Sequence, residues 1–198
     1  LGDVYKRQVL RTIPLLQLCN KEHGGIKMNI LVLNGSPRPH GNTATLVDVF
    51  TDEAQKAGHH VTVFQIGNKD IRGCKNCDAC RATLNGNCVQ KDDMQEIYPV
   101  MRECEMLVIA SPIYYYSLTG QTHCAIERIY AFERLPKLKK AALLLTAAGG
   151  GFTSAIQTYK DAVIGHMVAK DLGIVKAVGS QSKSAATQNE IRAIVKKI

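Results

Sequence analysis

The sequence predicts a doubly wound α/β domain in which five parallel strands carry helices on both faces. Short apolar runs alternate with amphipathic segments along the chain, as expected of repeated strand and helix units. The runs at 30–34, 106–110 and 142–147 are apolar almost throughout, which is typical of central parallel strands covered on both sides. Ligands of such sheets bind beyond the carboxyl ends of the strands, so the loops there are the first place to search for a site.

Strands and helices alternate through residues 28–198. Each predicted strand is a short apolar run, and each predicted helix has one apolar face. We expect strands at 29–35, 60–66, 106–111, 141–148 and 173–179. We expect helices at 42–56, 92–102, 118–133, 153–170 and from 188 onward. A segment rich in cysteine, residues 72–90, is inserted after the second strand and is called the cysteine loop below.

The composition indicates a single globular domain and argues against a nucleic-acid-binding or membrane-spanning protein. A chain of 198 residues that is 45% hydrophobic fits one globular domain with a core of its own. The net charge is +8, but residues 1–27 hold five Lys/Arg against two Asp/Glu, which leaves 20 against 15 for the remainder. That mild excess, without an arginine-rich run, argues against nucleic acid and suits an anionic cofactor that carries phosphate. No apolar run approaches the length of a membrane span.

Residues 1–27 are expected to be a non-native or disordered leader that precedes the domain at 28–198. The segment DVYKRQ at 3–8 resembles the translation of a transposon-end adapter used in library preparation. The apolar run VLRTIPLLQL is interrupted by arginine and proline, and no small-residue cleavage site follows it, which argues against a secretion signal. The natural start is then expected at Met28.

Four cysteines within fifteen residues are the densest chemical signal in the chain. They follow the pattern CxxCxxCx7C and are Cys74, Cys77, Cys80 and Cys88. Sites made only of thiolates select iron–sulfur clusters, zinc or copper(I) over hard cations. The shared middle cysteine favours a compact [4Fe-4S] cluster over zinc, whose structural sites commonly pair two separate CxxC motifs. Reduced thiols without metal and a disulfide pair are the alternatives, and this density of thiols indicates a reducing, cytoplasmic setting.

The loop after the first strand, residues 34–43, is predicted to bind phosphate. It reads NGSPRPHGNT and leads directly into a helix. Amides at the helix start and the hydroxyls of Ser36 and Thr43 can donate hydrogen bonds to phosphate oxygens, while Arg38 supplies positive charge. The loop is neither GxGxxG nor GxxxxGK[ST], which favours a monophosphate over a triphosphate. The alternative is an ordinary turn in which Asn42 caps the helix.

Two further loops lie at predicted strand ends. The segment SPIYYYSLTG at 111–120 holds three tyrosines after a proline, and their rings can wall a flat ring system or pack under the next helix. The segment TAAGGG at 146–151 lets backbone amides approach a ligand, although glycine there also serves a turn with positive φ. Three such loops at one edge of a sheet together predict one binding site.

No side chain is predicted to be catalytic. The six histidines are scattered without the spacing of metal ligands, and only His40 lies within the predicted phosphate loop. Arg128, on the helix after the tyrosines, fits an ion pair, a contact with a neighbouring subunit or a solvated face. Cys104 and Cys124 are expected to be small core residues.

With these motifs in view, residues 28–178 resemble the flavodoxin-like NADPH-dependent FMN reductase family, and the cysteine loop resembles its iron–sulfur flavoprotein branch. GSPRPHGNT is similar to the family's phosphate loop and SPIYYYSLTGQ to its ring-contacting loop. CxxCxxCx7C followed by KDDM is similar to the cluster motif of the branch, with a last gap at the long end of its range.

The resemblance implies a set of site residues. The FMN phosphate would be held by Ser36, Arg38, Asn42 and Thr43. The ribityl chain and isoalloxazine ring would contact Pro112, Ile113, Tyr114, Tyr115 and Ser117 on one side and Thr146, Ala147, Ala148 and Gly149 on the other. A [4Fe-4S] cluster would be ligated by Cys74, Cys77, Cys80 and Cys88. The resemblance also implies a homodimer or homotetramer in which the cluster of one subunit approaches the FMN of another.

The predicted function is an FMN-binding oxidoreductase that transfers electrons between a reduced donor and an acceptor through FMN and the cluster. Small molecules or redox proteins are the expected donors and acceptors, NAD(P)H among the donors, with no nucleic acid and no membrane as partner. Because the flavin carries the chemistry, the protein would orient it and tune its potential. The alternatives are a cluster-free NAD(P)H-dependent FMN or quinone reductase, a non-catalytic flavin electron carrier or redox sensor, and a zinc-stabilised binding module without flavin.

Overall fold

The structure is a computed structural model that describes residues 27–84 and 86–198. Within these ranges a five-stranded parallel sheet has the order β2-β1-β3-β4-β5, which is the strand order of flavodoxin-like folds. The strands are β1 Asn29–Asn34, β2 His60–Gln65, β3 Met106–Pro112, β4 Lys140–Ala147 and β5 Lys170–Val178. The predicted fold class is confirmed, and the cysteine loop follows β2.

Helices connect the strands and cover both faces of the sheet. In the described part of the chain they are α1 Asn42–Lys56, α2 Ala79–Ala82, α3 Met94–Glu103, α4 Gly120–Arg128, α5 Thr153–Tyr159 and α6 Ala185–Val195. Two 3₁₀ turns and a π-helical segment extend this set at Ile129–Phe132, Gly179–Lys183 and Lys160–His166.

Several boundaries differ from the predictions in the second half of the chain. The predicted helix 118–133 is shorter, because α4 passes into a 3₁₀ turn. The predicted helix 153–170 also ends early, and β5 begins at Lys170, whose amide donates to the carbonyl of Lys139 and extends the ladder. α6 begins earlier than predicted because the Ser184 hydroxyl accepts a backbone amide and caps the helix.

The sheet separates two apolar cores, and alternation along the strands fills both. Leu31 and Leu33 of β1 face the core beneath α3, α4 and α5, whereas Ile30 and Val32 face the core beneath α1 and α6. Because successive side chains of a strand point to opposite faces, a strand buried on both sides is apolar at every position. This packing fixes the strands rigidly and places the carboxyl-end loops at one edge.

The leader predicted at 1–27 lies outside the described residues apart from Lys27. Among the residues that are described, no helix has both the length and the apolar character needed to cross a bilayer.

Candidate functional site

A cavity of about 470 Å³ opens at the carboxyl edge of the sheet, and we call it the strand-end cavity. The loops after β1, β3, β4 and β5 all contribute to its wall. Ten of the thirteen predicted cofactor residues line it: Ser36, Arg38, Asn42, Thr43, Pro112, Ile113, Tyr114, Thr146, Ala147 and Ala148. Gly41 and Gly179, which were not among the predicted residues, also line it. Gly179 follows β5 directly. The expectation that ligands bind beyond the carboxyl ends of the strands therefore also covers this residue.

The loop after β1 is held in shape by its own polar groups. The amide of Ser36 donates to Asn34 Oδ1 at 3.0 Å, and the amide of Arg38 donates to Ser36 Oγ at 3.2 Å. Gln65 Nε2, at the end of β2, donates to the Ser36 carbonyl at 2.6 Å. A side chain at Gly67 would lie 2.3 Å from the Ser36 backbone, so the loop packs directly on that glycine. The loop is therefore shaped in advance for a ligand.

The amino end of α1 points its amides at the strand-end cavity without a side-chain cap. Gly41 is the N-cap residue, and no acidic side chain occupies the first turn. Asn42 is already inside the helix, where its Nδ2 donates to the Gly179 carbonyl at 2.7 Å and its Oδ1 accepts from Ser182 Oγ at 3.1 Å. The alternative in which Asn42 caps the helix is therefore wrong. Uncapped amides and the positive end of the helix dipole suit an anion.

Two buried hydroxyls meet on the wall of this cavity. Thr43 Oγ1 of α1 lies 2.7 Å from Thr146 Oγ1 of β4, and both residues are at least 95% buried. One hydroxyl donates to the other, which leaves the second hydroxyl with a proton of its own to donate. The pair joins α1 to β4 and offers a donor to an oxygen-rich ligand.

The tyrosine loop forms a tight hairpin that turns two rings outward. The amide of Tyr114 donates to the Ser117 carbonyl at 3.0 Å, and the amide of Ser117 donates back at 3.2 Å. The central residues Tyr115 and Tyr116 both have left-handed backbone, with φ of 47° and 66°. Tyr115 is 97% exposed. Of the predicted contacts, Tyr115, Ser117 and Gly149 do not line the strand-end cavity. The turn directs Tyr115 into solvent, and Gly149 belongs to a different loop, the one after β4.

The four loop cysteines differ in exposure. Cys74 and Cys77 are exposed, Cys88 is half-buried and Cys80 is buried. Burial raises the pKa of the Cys80 thiol, and the nearby Cys88 and Cys74 raise it further. All six cysteines in the described ranges are free thiols. Among those same residues, no group of three or more His, Cys, Asp or Glu side chains is arranged to hold a metal ion. The donor set nevertheless suits a soft metal, since it consists of four thiols in one loop.

A buried ion pair holds the two ends of the cysteine loop. Arg128 of α4 is 1% exposed, and its guanidinium donates two hydrogen bonds to Asp92, at 2.5 and 3.2 Å. The same guanidinium donates to the Arg72 carbonyl at 2.9 Å and to Tyr98 Oη at 3.1 Å. The preceding side chain, Glu127, accepts the amide of Cys74 at 3.1 Å. The solvated-face alternative for Arg128 is therefore wrong, and we call this network the loop clasp.

The surroundings in the loop clasp shift the pKa values of Asp92 and Tyr98. Burial alone would raise the pKa of Asp92, but hydrogen bonds from Arg128 and from the Arg72 amide outweigh it and hold that pKa below its usual value. Burial raises the pKa of Tyr98, which therefore stays neutral and donates or accepts hydrogen bonds as a phenol. The clasp thus combines a charged pair with a neutral hydroxyl beneath the cysteine loop.

A histidine with no predicted role lies beside a predicted site residue. Ser117 Oγ lies 2.9 Å from His123 Nε2 on α4 and 3.3 Å from Ser154 Oγ on α5. The sequence gives no signal for this group, because its three residues come from three separate elements.

Known proteins share sequence similarity with this chain. The family model for NADPH-dependent FMN reductases matches residues 28–172. An iron-sulfur flavoprotein of Archaeoglobus fulgidus is 32% identical over 139 residues, which are 69% of this chain and 62% of that protein. A second iron-sulfur flavoprotein of the same organism is 38% identical over 101 residues, 51% of this chain and 48% of that protein. The chain thus spans about half to three fifths of the length of these relatives.

Solved structures share the fold. RosB with bound 8-demethyl-8-formylriboflavin-5'-phosphate superposes with a TM-score of 0.70 at 19% identity, covering 85% of this chain and 76% of RosB.

Proposed function

Because the chain belongs to the NADPH-dependent FMN reductase family, we propose that it is an FMN-dependent oxidoreductase that transfers electrons between a reduced donor and an acceptor. The observation that carries this proposal is the strand-end cavity, where an uncapped helix start, a cation and a buried hydroxyl pair meet at one sheet edge. FMN, when bound, would supply the acceptance and release of electrons, so the chain needs to bind it and orient it.

The residues around the strand-end cavity fit FMN part by part. The amides at the start of α1, with Ser36, Arg38 and Thr43, would hold the phosphate, since they combine hydrogen-bond donors with positive charge. Asn42 would hold the helix start in place through its bond to Gly179. The remaining wall offers a proline, an isoleucine and a tyrosine ring opposite small residues of β4, which leaves a slot for a flat ring.

We propose further that Cys74, Cys77, Cys80 and Cys88 hold a [4Fe-4S] cluster. Four thiols in one loop are the donor set that such a cluster requires, and the neighbours of Cys80 include two of the others. The relatives described above carry the name iron-sulfur flavoprotein. The loop clasp supports the proposal because it fixes the backbone on both sides of the cysteines.

A cluster-free NAD(P)H-dependent reductase of FMN or quinones is the second candidate. It is favoured by the arrangement of the thiols, which within the described residues do not form a metal-binding group. For either candidate we propose NAD(P)H or a redox protein as donor, a homodimer or homotetramer as the assembly, and a cytoplasmic, reducing setting for the free thiols.

A flavin electron carrier without turnover is the third candidate.

Iron, sulfide, zinc and flavin analysis of the anaerobically purified full chain tests these proposals. We expect about one FMN and about four irons per chain, with a broad iron–sulfur shoulder beneath the flavin bands. Cys80→Ser should lose most of the iron and keep the FMN, whereas Cys124→Ser, outside the cysteine loop, should keep both. Full iron in Cys80→Ser would contradict the ligand assignment, and flavin without iron in the native chain would favour the cluster-free reductase. Reversible reduction without turnover would favour the carrier.

A further inference from the structure

A cavity of about 330 Å³ lies between the cysteine loop and the turn that leads into β4, and we call it the arginine cleft. Arg81 of α2, Arg102 of α3 and Arg134 of the turn line it, and Glu133 is the one carboxylate among its lining residues. The cleft thus has an excess of two positive charges. Arg102 and Arg134 precede β3 and β4, so the cleft lies toward the amino ends of these strands, away from the strand-end cavity.

The positive charge of the arginine cleft is only partly compensated. Arg81 Nη2 donates to Glu133 Oε2 at 3.0 Å, and both side chains are exposed. Among residues 27–84 and 86–198, no ion pair involves Arg102 or Arg134. Cations that a fold brings together without matching carboxylates repel one another and attract anions. The cleft therefore favours a ligand with more than one negative charge.

Arg102 is held in place for contact with such a ligand. Its guanidinium lies 4.9 Å from the ring centroid of Phe132, and that ring packs edge-on against Tyr98. Its Nη2 donates to Asn87 Oδ1 at 2.8 Å and to the Gly86 carbonyl at 3.3 Å, both in the cysteine loop. A guanidinium has five N–H donors, so others are left for a ligand. Because the group is fixed in advance, little conformational freedom is lost when it binds an oxyanion.

From these contacts we propose that the arginine cleft binds a diphosphate group, either free pyrophosphate or the diphosphate of a nucleotide, and thereby fastens the cysteine loop. A diphosphate has several acceptor oxygens and can contact guanidiniums of different elements at once. Arg81 belongs to the cysteine loop, whereas Arg102 and Arg134 belong to the body of the domain. A bound diphosphate would tie the two together, in addition to the loop clasp.

The arginine cleft is independent of the proposed function. It shares no lining residue with the strand-end cavity, and none of its lining residues is a proposed cluster ligand. A native chain that retains no flavin would therefore contradict the proposed function and leave the arginine cleft as it is.

Titration calorimetry of the full chain, purified with its flavin, tests the binding with pyrophosphate and adenosine diphosphate as probes. In that form the proposed flavin site is filled, so a further phosphate ligand reports on the arginine cleft. Binding should be saturable, and sodium chloride of the same ionic strength should not reproduce it. Binding of adenosine diphosphate at least as tight as that of pyrophosphate would identify a nucleotide as the ligand, and binding of pyrophosphate alone would identify the free ion. No binding of either probe would overturn the inference.

Variants locate the binding site. Arg134→Gln removes a cation and should weaken binding about tenfold without changing urea unfolding. Glu133→Gln removes the competing carboxylate and should tighten binding about threefold. Arg192→Gln is the matched control on α6, at the other face of the sheet, and should keep the affinity within about twofold. Equal weakening in Arg134→Gln and Arg192→Gln would show attraction to the overall charge of the protein and overturn the inference.

The fastening of the cysteine loop has a separate readout in amide hydrogen exchange. The amides of residues 81–84 donate to the carbonyls of Asp78 and Ala79, so their exchange follows opening of the loop. At about ten times the dissociation constant of the probe, their exchange should slow about tenfold, because opening must release the ligand. Exchange in α6 should not change. Saturable binding with unchanged exchange at 81–84 would overturn the fastening of the loop.

Discussion

The strand-end cavity and the cysteine loop both begin where a strand ends, yet they are held in place by different interactions. Each wall of the cavity follows directly from a strand of the sheet, and none of the ion pairs among the described residues involves a residue that lines it. Among its described residues the cysteine loop has no strand, and the buried pair of Arg128 and Asp92 ties it to the helices. The sheet positions the cavity, whereas side-chain contacts, among them this buried pair, position the cysteine loop.

This difference predicts different sensitivity to substitution. Removing one polar contact from the cavity leaves the strands and their register intact. Removing one partner of a buried ion pair leaves the other charged and without compensation, which is among the costliest single changes in a protein. The cysteine loop should therefore be the fragile region and the strand-end cavity the robust one.

The largest expected effect comes from Arg128→Met. It leaves Asp92 buried without its cation, and such losses cost about 3–5 kcal/mol of unfolding free energy. We expect a loss of that size in urea unfolding, together with faster alkylation of the buried Cys80 in metal-free protein. Lys137→Met removes a cation from the exposed pair with Glu103 and should cost less than about 1 kcal/mol.

The double variant Arg128→Met with Asp92→Leu tests the cause. Replacement of a whole buried pair by apolar residues is often neutral, so the double variant should recover most of the lost stability. A single variant that stays within about 1 kcal/mol of the native chain would show that Asp92 is readily solvated, and the comparison between the two regions would fail.

A smaller effect is expected from Thr146→Val in the strand-end cavity. The substitution removes the hydroxyl that pairs with Thr43, and an unpaired buried hydroxyl costs about 1–3 kcal/mol. We expect FMN to dissociate about tenfold more readily in equilibrium dialysis, with the alkylation rate of Cys80 unchanged. Thr62→Val, on the edge strand β2, is the matched control and should bind FMN like the native chain. Faster alkylation of Cys80 in Thr146→Val would show that the two regions are coupled.

The cavity was predictable because the sheet topology determines where most of its residues lie. Once the strands are assigned, parallel order brings their carboxyl ends together, and ten of the thirteen predicted residues line one cavity. Tyr115 and Ser117 do not line this cavity. Their hairpin is a two-residue turn with positive φ at both positions, and such a turn normally shows asparagine and glycine. Two tyrosines give no such signal, so the outward turn of the hairpin could not be read from the sequence.

The loop clasp was not predictable for a physical reason. Arg128 and Asp92 are 36 residues apart, and the pattern around each fits an exposed helix or loop equally well. Their pairing depends on how α4 packs against the start of α3, which is a tertiary contact without a periodic signature. The same holds for His123, whose neighbours lie on a hairpin and on another helix.

The smallest expected effect is the loss of unfolding free energy in acid. Acid protonates Asp92 and so weakens the buried ion pair of the cysteine loop without any substitution. The pKa of Asp92 is lower in the folded chain than in the unfolded chain, so the pair contributes stability that is present above about pH 4 and is lost as the pH falls through the lower, folded value. Other carboxylates titrate in the same range, and the double variant at Arg128 and Asp92 provides the reference that retains them. We expect the unfolding free energy of the native chain, relative to that variant, to fall below about pH 4 and to stay constant from about pH 5 to 8. A difference that did not change with pH would mean that Asp92 has the same pKa in the folded and unfolded chains, and the ion pair would then add no net stability.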